Sequence, residues 1–485
     1  MYRRPAPSPD VPCRPHRVLS AAAGLLLVVL TGCTGDGGAA RGPTGPAGTA
    51  GASGLGDPYF PHLGNGGYDV RHYGLTLDYT PATGRLSGTA EITARATQDL
   101  GSFHLDFAGL TVDSATVDGT AAAVHRAGTE LTLRPRQRLG RGDTFRTVVR
   151  YSGVPRRVTD PDGSEEGWLR SEGRAVALGQ PTGSMAWFPG NHHPSDKASY
   201  DIRITVPAGL KAISNGELRS ERTRAGRTAF VWHTPEPMAS YLATVAIGPY
   251  KTRETKGAKG TVPGYTAVDQ AVVDDPDTAG DSAELLASVP RIMKWGERNF
   301  GAYPFSSTGL IIGRPGQAGY ALETQTRPFL PGPTDLETLV HELTHQWFGD
   351  SVTPASWRDM WLSEGFATYA EWLWLADTKG VPVRDSFAEA YGDEANWAFP
   401  PAVPPTAADI SEPPVYGRGA MVLQRLREAV GDTAFFRIVR GWARTHRHGN
   451  ATTADFTAYA ERRSGKDLGA LWDAWLYGHP KPPRH

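Results

Sequence analysis

The pentapeptide His341-Glu342-Leu343-Thr344-His345 constrains this chain more than any other feature. Two imidazoles four residues apart reach one ion only when a helix puts both on one face. The preceding Asp335-Leu336-Glu337-Thr338-Leu339-Val340 is helix-compatible, as the motif requires. Glu342 then sits beside the metal, placed to take a proton from bound water. A catalytic zinc site needs three protein ligands and one open position. Downstream, Trp361-Leu362-Ser363-Glu364-Gly365-Phe366-Ala367 offers Glu364 near the start of a second helical stretch. The intervening loop carries Gly349 and a turn-like Thr353-Pro354-Ala355-Ser356, enough chain to reverse direction. His341, His345 and Glu364 together suit one Zn2+ per chain, an ion that acidifies water to a pKa of about 7 without redox chemistry.

The remaining composition bounds what surrounds this site. The 485 residues suggest two or three domains. Fifty Lys and Arg against 51 Asp and Glu leave a net charge of -1, so there is no electrostatic case for a nucleic-acid partner. The chain starts with Arg3, Arg4, Arg14 and Arg17, followed by the apolar run from Val18 to Leu30. This run is short for a bilayer span and reads as a signal peptide over residues 1–32. It ends in Leu30-Thr31-Gly32-Cys33, which resembles the lipobox of bacterial lipoproteins, with Cys33 as the lipidated residue. Cys13, the other cysteine, lies in the part that would be removed, so the mature chain would hold no disulfide. The expected location is the extracellular face of a bacterial cell membrane, with an N-terminal lipid as the only membrane contact. The expectation for residues 33–57, rich in Gly, Ala, Thr and Pro, is a flexible tether.

Two periodicities divide the rest. From residue 58 to residue 250 apolar residues alternate, as in Leu75, Leu77 and Tyr79 or Tyr200, Ile202, Ile204 and Val206. Turn signals such as Ser214-Asn215-Gly216 separate the runs, so a β domain is expected. From residue 251 to residue 485 the period turns helical, over Ala283 to Phe300, Leu336 to Phe348, Trp361 to Ala376 and Ala420 to Val430. The run Leu310-Ile311-Ile312 reads as a strand leading into Gly316-Gln317-Ala318-Gly319. The fold class is α+β: an antiparallel β-sheet domain, then a mostly helical one.

The chain resembles the aminopeptidase N family of one-zinc (gluzincin) aminopeptidases. The resemblance is carried by HELTHQWFGD (341–350), WLSEGFATYAEW (361–372) and VYGRGAMVL (415–423). In the β half it is carried by WFPGNHHPSDKASY (187–200) and VPAGLKAISNGEL (206–218). It implies a thermolysin-like catalytic domain and hydrolysis of the N-terminal bond of peptides with a free N-terminus. It implies that Glu323 binds the substrate's α-amino group, although Tyr320-Ala321-Leu322-Glu323-Thr324 keeps only two residues of the usual Gly-Ala-Met-Glu-Asn signature. Counting back from His193-Pro194 places a second amine contact at Gln180, where the family has Glu or Gln. The Tyr416 hydroxyl is implied as the oxyanion donor, and backbone near Gly319, Tyr320 and Ala321 as an edge that pairs with extended substrate. Longer members continue into a helical C-terminal domain, whereas this sequence stops at His485, so a more open site is expected. The rival readings are a zinc endopeptidase and a catalytically silent cell-surface binding lipoprotein.

Overall fold

The computed structural model describes residues 48–255, 268–273 and 279–484. The signal segment, Cys13, Cys33 and the tether up to residue 47 lie outside the described residues. Residues 45–485 form one compact unit, so the β half and the helical half share a core.

The β half is built on an eight-stranded sheet. Its centre runs β1 (Tyr68–Thr80), β2 (Arg85–Ala96) and β3 (Thr144–Gly153), with β4 (Lys197–Pro207) and β5 (Arg227–Ala239) on the other side of β1. Burial alternates residue by residue along β2, so every second side chain enters the core. The sheet is antiparallel except that β1 and β4 run parallel, with Ile202 opposite Leu75. The antiparallel expectation therefore needs one amendment here. The long connection between β1 and β4 permits a parallel neighbour that a hairpin does not.

Residues 48–57 correct the expected tether. Thr49–Ala50 pairs with the strand Leu100–Asp106. The Asp57 carboxylate is fully buried and accepts from the Tyr59 and Phe60 amides, Ser356 Oγ (2.7 Å) and the Trp357 amide (3.1 Å). The composition signalled weak packing. A single buried, multiply hydrogen-bonded carboxylate was enough to dock the segment onto the helical half.

That half opens with a four-stranded sheet whose strand Thr308–Ile312 confirms the expected apolar run. Its helices are α1 (Ala279–Phe300), α2 (Leu336–Thr344), α3 (Trp361–Lys379), α4 (Val383–Gly392), α5 (Gly419–Val430), α6 (Asp432–Thr445) and α7 (Thr453–Ser464). Asp335 caps α2 by accepting from the Thr338 amide at 2.7 Å. α2 stops at Thr344, earlier than its apolar pattern suggests, and the chain turns through Gly349 (φ +128°) into a short strand, Val352–Pro354. Phe348 at this turn stacks on Phe366 of α3 at 4.3 Å between centroids. Such a buried pair contributes about 0.5–1.5 kcal/mol beyond its area and holds the two motif-bearing helices in register. Among the described residues no helix is long and apolar enough to cross a membrane.

Candidate metal centre

α2 and α3 pack directly on one another and, with His345 capping the end of α2, bring three donors to one point. His341 Nε2 and His345 Nε2 lie 3.1 and 3.3 Å from the same atom, Glu364 Oε2. Four-coordinate zinc with bonds of about 2.0–2.1 Å needs ligand-to-ligand edges of roughly 3.3 Å. The donor set therefore fits that ion in kind and in spacing. Among the described residues this is the one group of three such side chains that meets in this way.

The outer ring nitrogens fix the tautomers. His341 Nδ1 sits 2.6 Å from Glu371 Oε1, and a carboxylate only accepts. His345 Nδ1 sits 3.1 Å from the Phe348 carbonyl and 2.9 Å from Ser363 Oγ. Both protons are thus held outward and both Nε2 lone pairs face inward. Glu371 was not anticipated from the sequence. The signal was present, because Glu371 follows Glu364 by two helical turns and so shares its face.

Electrostatics agree with a cation site. Burial opposes charge on His341, yet hydrogen bonds to Glu364 and Glu371 outweigh it and hold the ring's pKa well up. Burial would also raise Glu364, but the two imidazoles pull it down. Burial pushes the Glu342 carboxyl up to about 8, against the pull of His341 and His345. Glu323 is raised by burial, lowered by His345 and raised again by Glu364, which places its carboxyl in the same pocket. Glu342 Oε2 and Glu323 Oε1 are buried without a protein hydrogen-bond partner. Buried polar atoms in that condition are uncommon, and two facing one metal pocket point to a ligand that supplies the missing partners.

The remaining expected residues lie on three other elements, and Tyr416 is the one with a direct contact to a metal donor. The Tyr416 ring lies parallel to His341 at 6.0 Å, on the turn before α5. Gly365 and Gly419 bring α3 and α5 into backbone contact there: a Cβ at Gly365 would lie 2.9 Å from the Gly419 carbonyl carbon. Gln180 follows the strand Arg174–Leu178, and its Oε1 is buried and unpartnered. Its neighbour Gly179 packs against Tyr241, where a Cβ would come within 2.6 Å of the carbonyl. The Tyr241 phenol is raised by burial and, in turn, by the charges of Glu323, Asp350 and Glu364, so this corner of the β half borders the metal pocket. Gly319 is exposed and Tyr320 and Ala321 are half-buried, outside any strand. The first bridge forms at Leu322, with Phe329.

The Glu323 loop is held by partners that motif reading did not single out. Gln346 Oε1 accepts from the Thr326 amide at 2.7 Å, and its Nε2 donates to the Glu323 carbonyl at 3.3 Å. From the β half, Asn215 Nδ2 donates to the Gln325 carbonyl at 2.7 Å, and the Gly216 amide donates to Thr326 Oγ1 at 2.8 Å. Lys197 Nζ donates to the carbonyls of Asp350 (2.8 Å) and Ser351 (3.1 Å) just beyond α2.

The sequence matches known proteins in both halves. Residues 70–242 match the peptidase M1 N-terminal domain, and residues 334–475 match the peptidase family M1 domain. Aminopeptidase N of Streptomyces lividans is 30% identical over 319 residues, which is 60% of this chain and 36% of that protein. A probable aminopeptidase 2 of Sulfurisphaera tokodaii is 27% identical over 322 residues, 60% of this chain and 39% of that one. The chain thus spans well under half the length of these curated relatives. An M1 zinc metallopeptidase from Deinococcus radiodurans has a solved structure of TM-score 0.79 to this one at 30% identity, covering 89% of this chain and 98% of that chain. A mutant of that enzyme bound to a Tyr-Ser-Ala substrate gives 0.80 at 29% identity. The chain belongs to the peptidase M1 family, and the ion that its two imidazoles and one carboxylate are built to hold is zinc.

Proposed function

We propose that this protein is a zinc aminopeptidase that hydrolyses the N-terminal bond of peptides. The observation that carries this reading is the pairing, in one buried pocket, of a three-donor metal set with a separate unpartnered carboxylate, Glu323. A metal site alone serves any hydrolase. A second buried anion beside it suits a substrate that brings a cation, and the free amino terminus of a peptide is one.

Held by His341, His345 and Glu364, zinc supplies Lewis acidity toward the first carbonyl and toward a water. The protein's own groups carry out the rest. Glu323 Oε1 binds the α-ammonium, with Gln180 Oε1 as a neutral second acceptor. Backbone at Gly319, Tyr320 and Ala321 adds the extended substrate as a strand. Glu342 Oε2 takes a proton from the attacking water and returns it to the leaving amine. The Tyr416 hydroxyl donates to the oxygen on which charge develops.

The relatives and solved neighbours named above support this reading, since they are aminopeptidases and zinc metallopeptidases. Aminoacyl fluorogenic substrates, assayed with chelator and after zinc add-back, test it. Acetylating the substrate amine should abolish cleavage, and undiminished cutting of the acetylated peptide would establish an endopeptidase instead. Zinc at one per chain with no cleavage of any peptide would establish a binding lipoprotein.

We propose further that the mature chain is exported and anchored through a lipid on Cys33. The basic start, the apolar run and the Leu30-Thr31-Gly32-Cys33 ending support this. Metabolic labelling with a fatty-acid analogue should mark the chain and fail to mark Cys33→Ala. Label retained in that variant refutes the anchor.

A further inference from the structure

A second cavity, of ≈ 660 Å³, opens among the end of α1, the helix α6 and the turn that follows α2. None of the metal donors lines it, and neither do Glu323, Glu342 or Tyr416. Part of its wall is apolar: Phe300, Pro304 and the indole of Trp347. The Trp347 Nε1–H donates to the carbonyls of Gly301 (3.0 Å) and Ala302 (3.2 Å), so the ring is fixed in place. Small neutral residues and a set of arginines complete it. Arg437, Arg440, Arg444, Arg447 and Arg463 all border the space, and no acidic side chain does.

The helix gathers these charges. Arg437, Arg440 and Arg444 stand three and four residues apart on α6, on one face. The opposite face of α6 buries Phe435, Ile438, Val439 and Trp442 in the core, so the helix cannot rotate to disperse them. Like charges at this spacing repel and destabilise a helix. Three half-buried arginines elsewhere pair with carboxylates: Arg427 with Asp432 at 2.8 Å, Arg425 with Glu428 at 2.6 Å and Arg227 with Asp78 at 2.6 Å. Among the described residues, none of the five at the cavity has a carboxylate within ion-pair distance. Their contacts are neutral. Arg440 reaches the Arg298 carbonyl (3.4 Å), Arg447 the Pro304 carbonyl, and Arg463 Nε the Tyr459 hydroxyl (3.1 Å). Such contacts orient a guanidinium without neutralising it. The imidazole of His448 reports the same local field: burial, then Arg447 and Lys197, hold its pKa down to about 4.

Guanidinium forks match the oxygens of phosphate two at a time, and a concave site of this volume is of small-ligand size. We propose that this cavity binds a small phosphate-bearing anion, with the apolar wall of Phe300, Pro304 and Trp347 receiving the part of the ligand that carries no charge.

The test is calorimetric titration of the zinc-loaded full chain with inorganic pyrophosphate at fixed ionic strength, with inorganic phosphate and chloride as comparisons. Expected is one site per chain for pyrophosphate, weaker binding of phosphate and none of chloride. Arg440→Gln/Arg444→Gln, and separately Arg437→Glu, should weaken pyrophosphate at least about tenfold while zinc content, melting temperature and peptide turnover stay unchanged. Equal binding by the wild-type chain and both variants overturns the site. So does retention of the chain on vesicles of equimolar phosphatidylcholine and phosphatidylglycerol, lost in the same variants, when pyrophosphate does not bind. That result makes the arginines a membrane-facing surface. Because zinc content and turnover are read separately, failure here leaves the peptidase reading untouched.

Discussion

Two regions of this protein bury a pair of histidines among carboxylates, and only one of them can hold a metal. In the β half, His192 and His193 follow Asn191. His192 Nδ1 meets Ser240 Oγ and its Nε2 meets the Phe188 carbonyl, both at 3.0 Å. His193 Nδ1 meets Ser195 Oγ at 2.6 Å, and its Nε2 faces Asp57 at 3.4 Å. Every ring nitrogen there has its own local partner, and the rings do not converge. At the metal centre only the Nδ1 atoms are occupied locally, while both Nε2 atoms aim at Glu364 Oε2. Residue type is the same in both places, and all of these rings but the half-buried His341 are buried. What separates structure from chemistry is which nitrogen the surroundings engage, and whether two rings aim at one shared atom. Burial accordingly holds His192 down to about 4, whereas the carboxylates around His341 raise it.

The contrast can be broken in four places. Glu342→Gln removes the proton carrier and leaves the donors intact. Turnover should fall by about 10³-fold with zinc content unchanged. Near-normal turnover in zinc-replete Glu342→Gln would falsify its assignment as the base. Tyr416→Phe should lower kcat by about 10²-fold with little change in KM, read by steady-state kinetics. A change confined to KM would make Tyr416 a binding residue. Glu371→Gln removes only the partner that fixes His341, and should weaken zinc affinity by about 10–100-fold in competition with a chromogenic chelator. Unchanged affinity would show that the tautomer is set elsewhere.

The smallest catalytic effect belongs to the other histidine pair. Asp57→Asn should leave zinc content and turnover as they are and lower stability by about 3 kcal/mol in denaturant melts. Burial alone would raise the Asp57 pKa. Its hydrogen bonds with His193, Ser356, Tyr59 and Phe60 outweigh that and hold it far below the ordinary 3.8. A lowered folded value means that the stabilisation is complete above 3.8 and fades as pH falls from there toward the folded value. The gap between wild type and Asp57→Asn should therefore close on acidification below that point. A gap that stays constant with pH would show that Asp57 acts by shape rather than by charge.

Much of this was legible in the sequence because the determinants are local. A spacing of four puts His341 and His345 on one helical face, and alternation marks β2 as half-buried. Glu364 was legible because the chemistry demands a third donor and a helix start lay downstream. The partners of the Glu323 loop were not legible. Gln346, Asn215 and Thr326 are ordinary polar residues whose importance arises from contacts made across 20 positions of sequence for Gln346 and Thr326 and 110 for the bonds from Asn215 and Gly216. Asp57 was hidden for the same reason, inside a stretch whose composition speaks against packing. The arginines of α6 were visible as residues, but nothing in one dimension shows that their carboxylate partners are missing.

The bonds from Asn215 and Gly216 to Gln325 and Thr326 bear on whether the halves can be exchanged as cassettes. All three zinc donors come from α2, its C-cap His345 and α3, so a fragment that keeps those elements retains the means to capture the ion. The loop presenting Glu323 takes part of its shape from the other half. Grafting the helical half onto a foreign β scaffold would therefore yield a metal binder that has lost its sense of where a peptide begins.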